Sequence, residues 1–135
     1  MNKIEGECLC GNIKYFSKSD PLFTTICHCS HCQKQTGTAF SIIVGIDRKS
    51  LHINGELKCF KDIGNSGKPV YRKFCGNCGS PIISDVSTAP NLLFIKAGTL
   101  NTIKFLRPTK EIWTDHKLDC VTINGIKEKH NTDGK

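Results

Sequence analysis

Cys27-His28-Cys29-Ser30-His31-Cys32 places three thiols within six residues, in the spacing C-x-C-x-x-C. Cysteines this close sit poorly for a disulfide, which needs Cα atoms about 4.4–6.8 Å apart and a fixed dihedral. A soft divalent ion accepts all three as thiolates, and zinc is the commonest choice. Two further pairs lie far off in sequence, Cys8-Leu9-Cys10 and Cys75-Gly76-Asn77-Cys78. Those four complete a tetrahedral ligand set, whereas the central three leave it one short. Structural zinc sites are closed, and catalytic ones keep a position for water or substrate. The spacing therefore predicts two zinc ions, and a fold held by metal as well as by its core.

The rest of the composition agrees with a metal-stapled single domain. A chain of 135 residues is long enough to bury roughly two-thirds of its unfolded surface. Seven of the nine cysteines fall in the three groups, a pattern that indicates metal rather than a disulfide framework. Cys59 and Cys120 stand alone and read as small buried apolar residues. No apolar run reaches the roughly 20 residues of a membrane helix. Met1-Asn2-Lys3-Ile4-Glu5-Gly6-Glu7 carries no hydrophobic signal segment. The expectation is a soluble, cytoplasmic chain with no membrane partner.

The formal charge of +7 would suit nucleic acid, but the metal groups reduce it. Seven thiolates and two zinc ions bring the loaded protein to about +4, from +7 − 7 + 4. The sixteen lysines are scattered, without a basic run or interleaved aromatics. We expect a solvated basic surface and no nucleic-acid partner.

Along the chain, short strands follow one another at turn-rich intervals. Asn12 to Ser17 reads as a strand with Ile13 and Tyr15 on one face, and Leu22 to Ile26 as another leading into Cys27. Gln33 to Gly37 has room for a turn or one short helix ended by glycine. Phe40 to Ile46 is the most apolar stretch and a core strand. Leu51-His52-Ile53 with Asn54-Gly55 predicts a hairpin whose return strand is Leu57 to Lys61. Pro69 to Phe74, Pro81 to Asp85, Leu92 to Ala97 and Glu111 to Trp113 are further strands. Phe74-Cys75-Gly76-Asn77-Cys78-Gly79 is a zinc-knuckle signature, whose backbone N–H groups can point at the sulfurs. Lys127 to Lys135 reads as a frayed tail. The fold class expected is mostly β, in one domain spanning 1–135.

Cys8, Cys10, Cys75 and Cys78 read as one closed structural zinc joining the N-terminus to a distant hairpin. For the triplet, spacing leaves two readings open. His28, His31 or another side chain closes the site as a fourth ligand and makes it inert, or the fourth position takes water or a substrate sulfur. His28, between two ligands, is expected to point away, and His52, His116 and His130 to be surface or strand residues. Three thiolates neutralise zinc to a net −1, which suits a soft fourth ligand and activation of a thiol more than the splitting of water. No Ser-His-Asp arrangement, phosphate-binding glycine loop or dinucleotide fingerprint competes with this.

With these residues in view, the chain resembles the glutathione-dependent formaldehyde-activating enzyme (Gfa) family, whose β-tent fold is similar to that of the Mss-type Rab-binding zinc protein. The matching elements are Gly6-x-Cys8-x-Cys10-Gly11, Cys27-His28-Cys29-Ser30-x-Cys32 with Gly37, Phe74-Cys75-x-x-Cys78-Gly79 and Ala97-Gly98-Thr99-Leu100. They run from about Gly6 to Trp113. The resemblance implies a structural zinc on Cys8, Cys10, Cys75 and Cys78, and a catalytic one on Cys27, Cys29 and Cys32. It also implies the condensation of glutathione with formaldehyde to S-hydroxymethylglutathione, a carbon–sulfur lyase reaction in reverse. The implied partners are a small thiol and an aldehyde. Gln33 stands where the family often has arginine, and Asn101 where an acidic residue commonly follows Gly-Thr-Leu. The non-enzymatic reading is a module with two structural zincs that binds a protein or nucleic acid, drawn from the Rab-binding relative and the positive charge.

Overall fold

The computed structural model describes residues 2–104 and 106–133. In chain order its elements are β1 (Ile4–Glu7), β2 (Lys14–Ser17), β3 (Phe23–Cys27), α1 (Ser30–Thr36), β4 (Ser41–Asp47), β5 (Leu51–Asn54), β6 (Leu57–Ile63), β7 (Pro69–Cys75), β8 (Pro81–Val86), β9 (Leu92–Lys96), β10 (Lys110–Ile112) and β11 (Glu128–Lys129), with short 3-10 turns between some of them. The mostly β architecture is the one the sequence predicts. Among the described residues, no helix is long and apolar enough to cross a membrane.

The strands form two sheets. The smaller runs β1-β2-β5, and the larger β11-β10-β3-β4-β9-β8-β7-β6. All pairings are antiparallel except those of β10 with β3 and with β11. The alternation of side chains along a strand separates the faces of the large sheet. Val44 and Ile46 of β4, opposite Ile95 and Leu93 of β9, join Ile4, Ile13 and Tyr15 in one core. Ile43 of β4 with Phe94 and Lys96 of β9, which alternate with those core residues along the strands, line a cavity on the other face. On β8 the neighbours Ile82 and Ile83 are both buried in the core. A register shift opposite Lys73 and Phe74 makes this possible, since a bulge places two successive residues against one partner.

Tyr15 fixes how the small sheet meets the rest. Its hydroxyl lies 2.7 Å from Thr99 Oγ1, and burial pushes the phenol up to about 12. The ring occupies the space beside Gly6, where an added Cβ would fall 2.2 Å from the Tyr15 hydroxyl and 2.6 Å from the Thr99 carbonyl. Gly6→Ala must displace backbone as well as the ring, so we expect about 2–3 kcal/mol of destabilisation in chemical denaturation, at the upper end for overpacking. The phenol's folded value exceeds the usual ~10 of an unfolded tyrosine. Its contribution is therefore complete below pH about 10 and lost as pH rises toward about 12.

Three expectations are corrected. Leu57 to Lys61 is not the hairpin partner of Leu51 to Ile53. β5 instead closes the small sheet against β2, in a register pairing Tyr15 with Ile53, and β6 pairs seven residues with β7. A β5–β6 hairpin could offer only the four residues of β5, so the longer ladder wins. Cys59 and Cys120 are exposed, because β6 is the edge of the large sheet and Cys120 sits in a surface loop. The segment read as a frayed tail is bonded as far as it is described. His130 N donates to the Glu111 carbonyl at 2.9 Å and Trp113 N to that of Thr132 at 2.8 Å. Its side chains are mostly exposed, so pairing by backbone alone left no apolar pattern. Residues 134 and 135 of that tail lie outside the described residues.

Candidate metal centres

Cys8 and Cys10 follow β1, Cys75 ends β7, and Cys78 lies in the turn toward β8. The four Sγ atoms lie within 4.8 Å of one another, with Cys8 to Cys10 at 3.6 Å and Cys10 to Cys75 at 3.8 Å. Metal–sulfur bonds of ~2.3 Å in a tetrahedron place the sulfurs ~3.8 Å apart. The observed spacing fits such an ion, and is far too long for a disulfide of about 2.05 Å. The two loops are built alike. Each closes on a left-handed glycine, Gly11 at φ 80° and Gly79 at φ 81°, whose N–H returns to the carbonyl of Cys8 or Cys75. L side chains rarely adopt that conformation.

Backbone donors surround these sulfurs. Ile13 N reaches Cys8 Sγ at 3.2 Å, and Asn77 N and Cys78 N reach Cys75 Sγ at 3.4 and 3.5 Å. The Ser80 hydroxyl lies 3.2 Å from Cys78 Sγ. With the Ser80 and Cys10 backbone it holds the Cys78 thiol at about 5. Donors of this kind stabilise thiolates and tune what they bind.

The second group forms where β3 passes into α1. Cys27 ends the strand, Cys29 is the helix N-cap, and Cys32 lies in the first turn, so secondary structure alone converges the three thiols. Cys29 Sγ accepts from Cys32 N at 3.2 Å, and Gly37 ends the helix with its N–H on the Gln33 carbonyl. The three Sγ atoms also lie within 4.8 Å of one another, and no histidine belongs to the group. His31 turns outward, with Nδ1 2.7 Å from Asp62 Oδ2. The reading in which His31 closes this site is therefore set aside, because Asp62 holds the ring elsewhere. His28 is fully buried with Glu111, Nε2 to Oε1 3.4 Å, and Lys117 Nζ reaches the same oxygen at 3.6 Å. Burial pushes the His28 imidazole down despite that carboxylate.

Two cations missed in the sequence stand behind the triplet. Arg72 of β7 and Lys96 of β9 are both buried. Arg72 Nε donates to Asp62 Oδ2 at 2.9 Å, and Lys96 Nζ to Ser41 Oγ at 3.0 Å. The neighbouring Cys27 and Cys29 thiols, then the charges of Lys96 and Arg72, push the Cys32 thiol down. The Cys29 and Cys32 sulfurs, with burial, push Cys27 up. A signal was available: Lys96 interrupts the apolar run Leu92 to Ile95, and a lysine in a core strand asks for a partner.

Cys27, Cys29 and Cys32 form part of the wall of a cavity of about 700 Å³ on the outer face of the large sheet. The four-cysteine group takes no part in it. The arrangement defines a small β protein with two cysteine-built sites able to hold metal ions, one closed by its own ligands and one facing a cavity. The profile of the family described as glutathione-dependent formaldehyde-activating enzyme matches residues 3–116, and the chain belongs to that family. An uncharacterised lyase of Schizosaccharomyces pombe is 25% identical over 120 residues, covering 89% of this chain and 85% of that protein. The crystal structure of a Rhodobacter sphaeroides protein shares the fold with a TM-score of 0.58 at 19% identity, over 75% of this chain and 91% of that one.

Proposed function

We propose that this chain is a single-domain, zinc-dependent carbon–sulfur lyase. It adds a thiol to formaldehyde or a related small aldehyde, with glutathione the thiol of the family's namesake reaction, and it reverses that addition. Cys8, Cys10, Cys75 and Cys78 hold a structural zinc, and Cys27, Cys29 and Cys32 hold the catalytic one. The observation that carries this reading is the contrast between a closed group of four thiols and a group of three on a cavity wall. Zinc, when bound, supplies Lewis acidity that lowers the pKa of an incoming thiol.

This chain's own residues do the rest. Cys27, Cys29 and Cys32 provide three sulfurs and leave no fourth side chain in the group. Lys96 and Arg72 offset their negative charge from inside the protein, where such charges are weakly screened. The strands behind exclude water from one side of the cysteines. In the overall addition the thiol S–H bond breaks and its sulfur electron pair forms the C–S bond. The carbonyl π pair moves to oxygen, which takes the proton. The reverse reaction restores thiol and aldehyde, so no oxidant or reductant is needed.

Exchange NMR tests the reading, with the zinc-loaded protein, formaldehyde and a panel of thiols including glutathione. Interconversion of free thiol and hydroxymethyl thioether should exceed the spontaneous rate for at least one thiol. Rates at the spontaneous level for every thiol would refute the lyase assignment.

A further inference from the structure

Beside the three cysteines, the cavity wall includes the apolar residues Phe23, Ile43, Val86, Phe94, Ile112 and Trp113. Phe23 and Phe94 pack with ring centroids 5.9 Å apart, which puts an aromatic pair on the wall. Its volume of about 700 Å³ lies well inside the range of small-molecule sites. Trp113 is the sole non-glycine residue at positive φ among those described, at 57°. A strained backbone of this kind persists where surrounding structure enforces it, and such positions cluster at ligand sites. Here the enforcement comes from the Thr132 carbonyl, which accepts from Trp113 N.

Of the cations around the cavity, Lys110 is the one that no side chain among the described residues engages. Arg72 is engaged by Asp62 and Lys96 by Ser41, and both already face the sulfur charge. The other lining groups of fixed charge are Lys110 and Asp133, one of each sign. Glutathione carries two carboxylates and an ammonium, more charge than Lys110 alone would match on a wall that also carries Thr25, Asn65, Ser66 and Thr88, and burying unpaired charge is costly. One polar atom does await a partner. Ser84 Oγ is buried without a hydrogen bond and its residue lines the same cavity.

We propose that the thiol used at this site is compact and largely apolar, an aryl or branched alkyl thiol with at most one polar group, rather than a charged peptide thiol. The proposal rests on the carbon–sulfur lyase reading and specifies its substrate class. The apolar body lies along the Phe94 and Trp113 side of the cavity, its sulfur toward Cys27, Cys29 and Cys32, and its polar group toward Ser84.

The chain has one tryptophan, so its fluorescence reports on this wall directly. The full chain, reconstituted with cobalt(II), should be titrated with phenylmethanethiol, with glutathione and with sulfur-free phenylmethanol. Tryptophan emission and the sulfur-to-cobalt absorption band are followed together. We expect phenylmethanethiol to bind at least about tenfold more tightly than glutathione, a free-energy difference of about 1.4 kcal/mol, and to change both signals. Phenylmethanol should change the emission alone. Val86→Lys, which puts an ammonium on the wall, should reverse the order of the two thiols, with the melting temperature confirming that it folds. Glutathione binding as tightly as phenylmethanethiol, or more so, would overturn the substrate class while leaving thiol chemistry intact. If neither thiol alters the cobalt band, the open centre itself is refuted and the proposal with it.

Discussion

Cys78→Ala is expected to leave most of the protein insoluble, or to lower its melting temperature by more than about 10 °C. The residue is one of four cysteines proposed to bind one zinc, joining the first turn of the chain to a knuckle 65 residues later. Where the unfolded chain has no preformed site, metal affinity becomes folding free energy, about 10–16 kcal/mol in small zinc-folded peptides. The net stability of a typical domain is only about 5–15 kcal/mol, so losing a fraction of the metal term is enough to unfold it. Alanine also abandons the Ser80 contact to the sulfur. Zinc content and thermal melting of the variant give the answer. A variant that melts within a few degrees of the parent would show that this group is not what holds the sheets together.

Cys32→Ala has an effect of similar size on a different observable. All three sulfurs of its group lie within six residues, on one strand end and one helical turn. Their metal therefore closes no long loop, and loop closure is where a crosslink contributes most. We expect one zinc per chain in place of two, loss of thiol exchange to the spontaneous rate, and a melting temperature lowered by only a few degrees. The remaining cost comes from Lys96 and Arg72, which lose part of the negative charge that offsets their burial. Destabilisation equal to that of Cys78→Ala would mean that both metals are structural, and that the division into four and three is mistaken.

Much of this was legible because cysteine spacing is a local signal. C-x-C and C-x-x-C constrain geometry within a turn, and all seven cysteines of these motifs fall into the two groups read from them. Strands announced themselves as short apolar runs, as along β4 and β9. Pairing was harder. Asn54-Gly55 marks a turn, but no local feature says that β5 would leave the large sheet for β2. The 128–129 strand pairs through its backbone and carries no side-chain pattern. Lys96, Arg72 and Glu111 were missed for a related reason. Each is separated in sequence from the triplet or from His28, and only the sheet register brings them near. Trp113 was read as a strand residue, and its left-handed backbone has no signature in residue type.

The central claim, one closed centre and one open to an exchangeable ligand, is tested most directly by zinc K-edge X-ray absorption on the two-zinc protein before and after addition of a thiol. Four sulfurs on one ion and three on the other average about 3.5 sulfurs per zinc, with the balance from oxygen. Saturating thiol should raise that average to about 4 and remove the light-atom scatterer, because a sulfur fills the fourth position of the Cys27, Cys29 and Cys32 site. A spectrum that retains a nitrogen ligand, or that thiol leaves unchanged, would contradict the account.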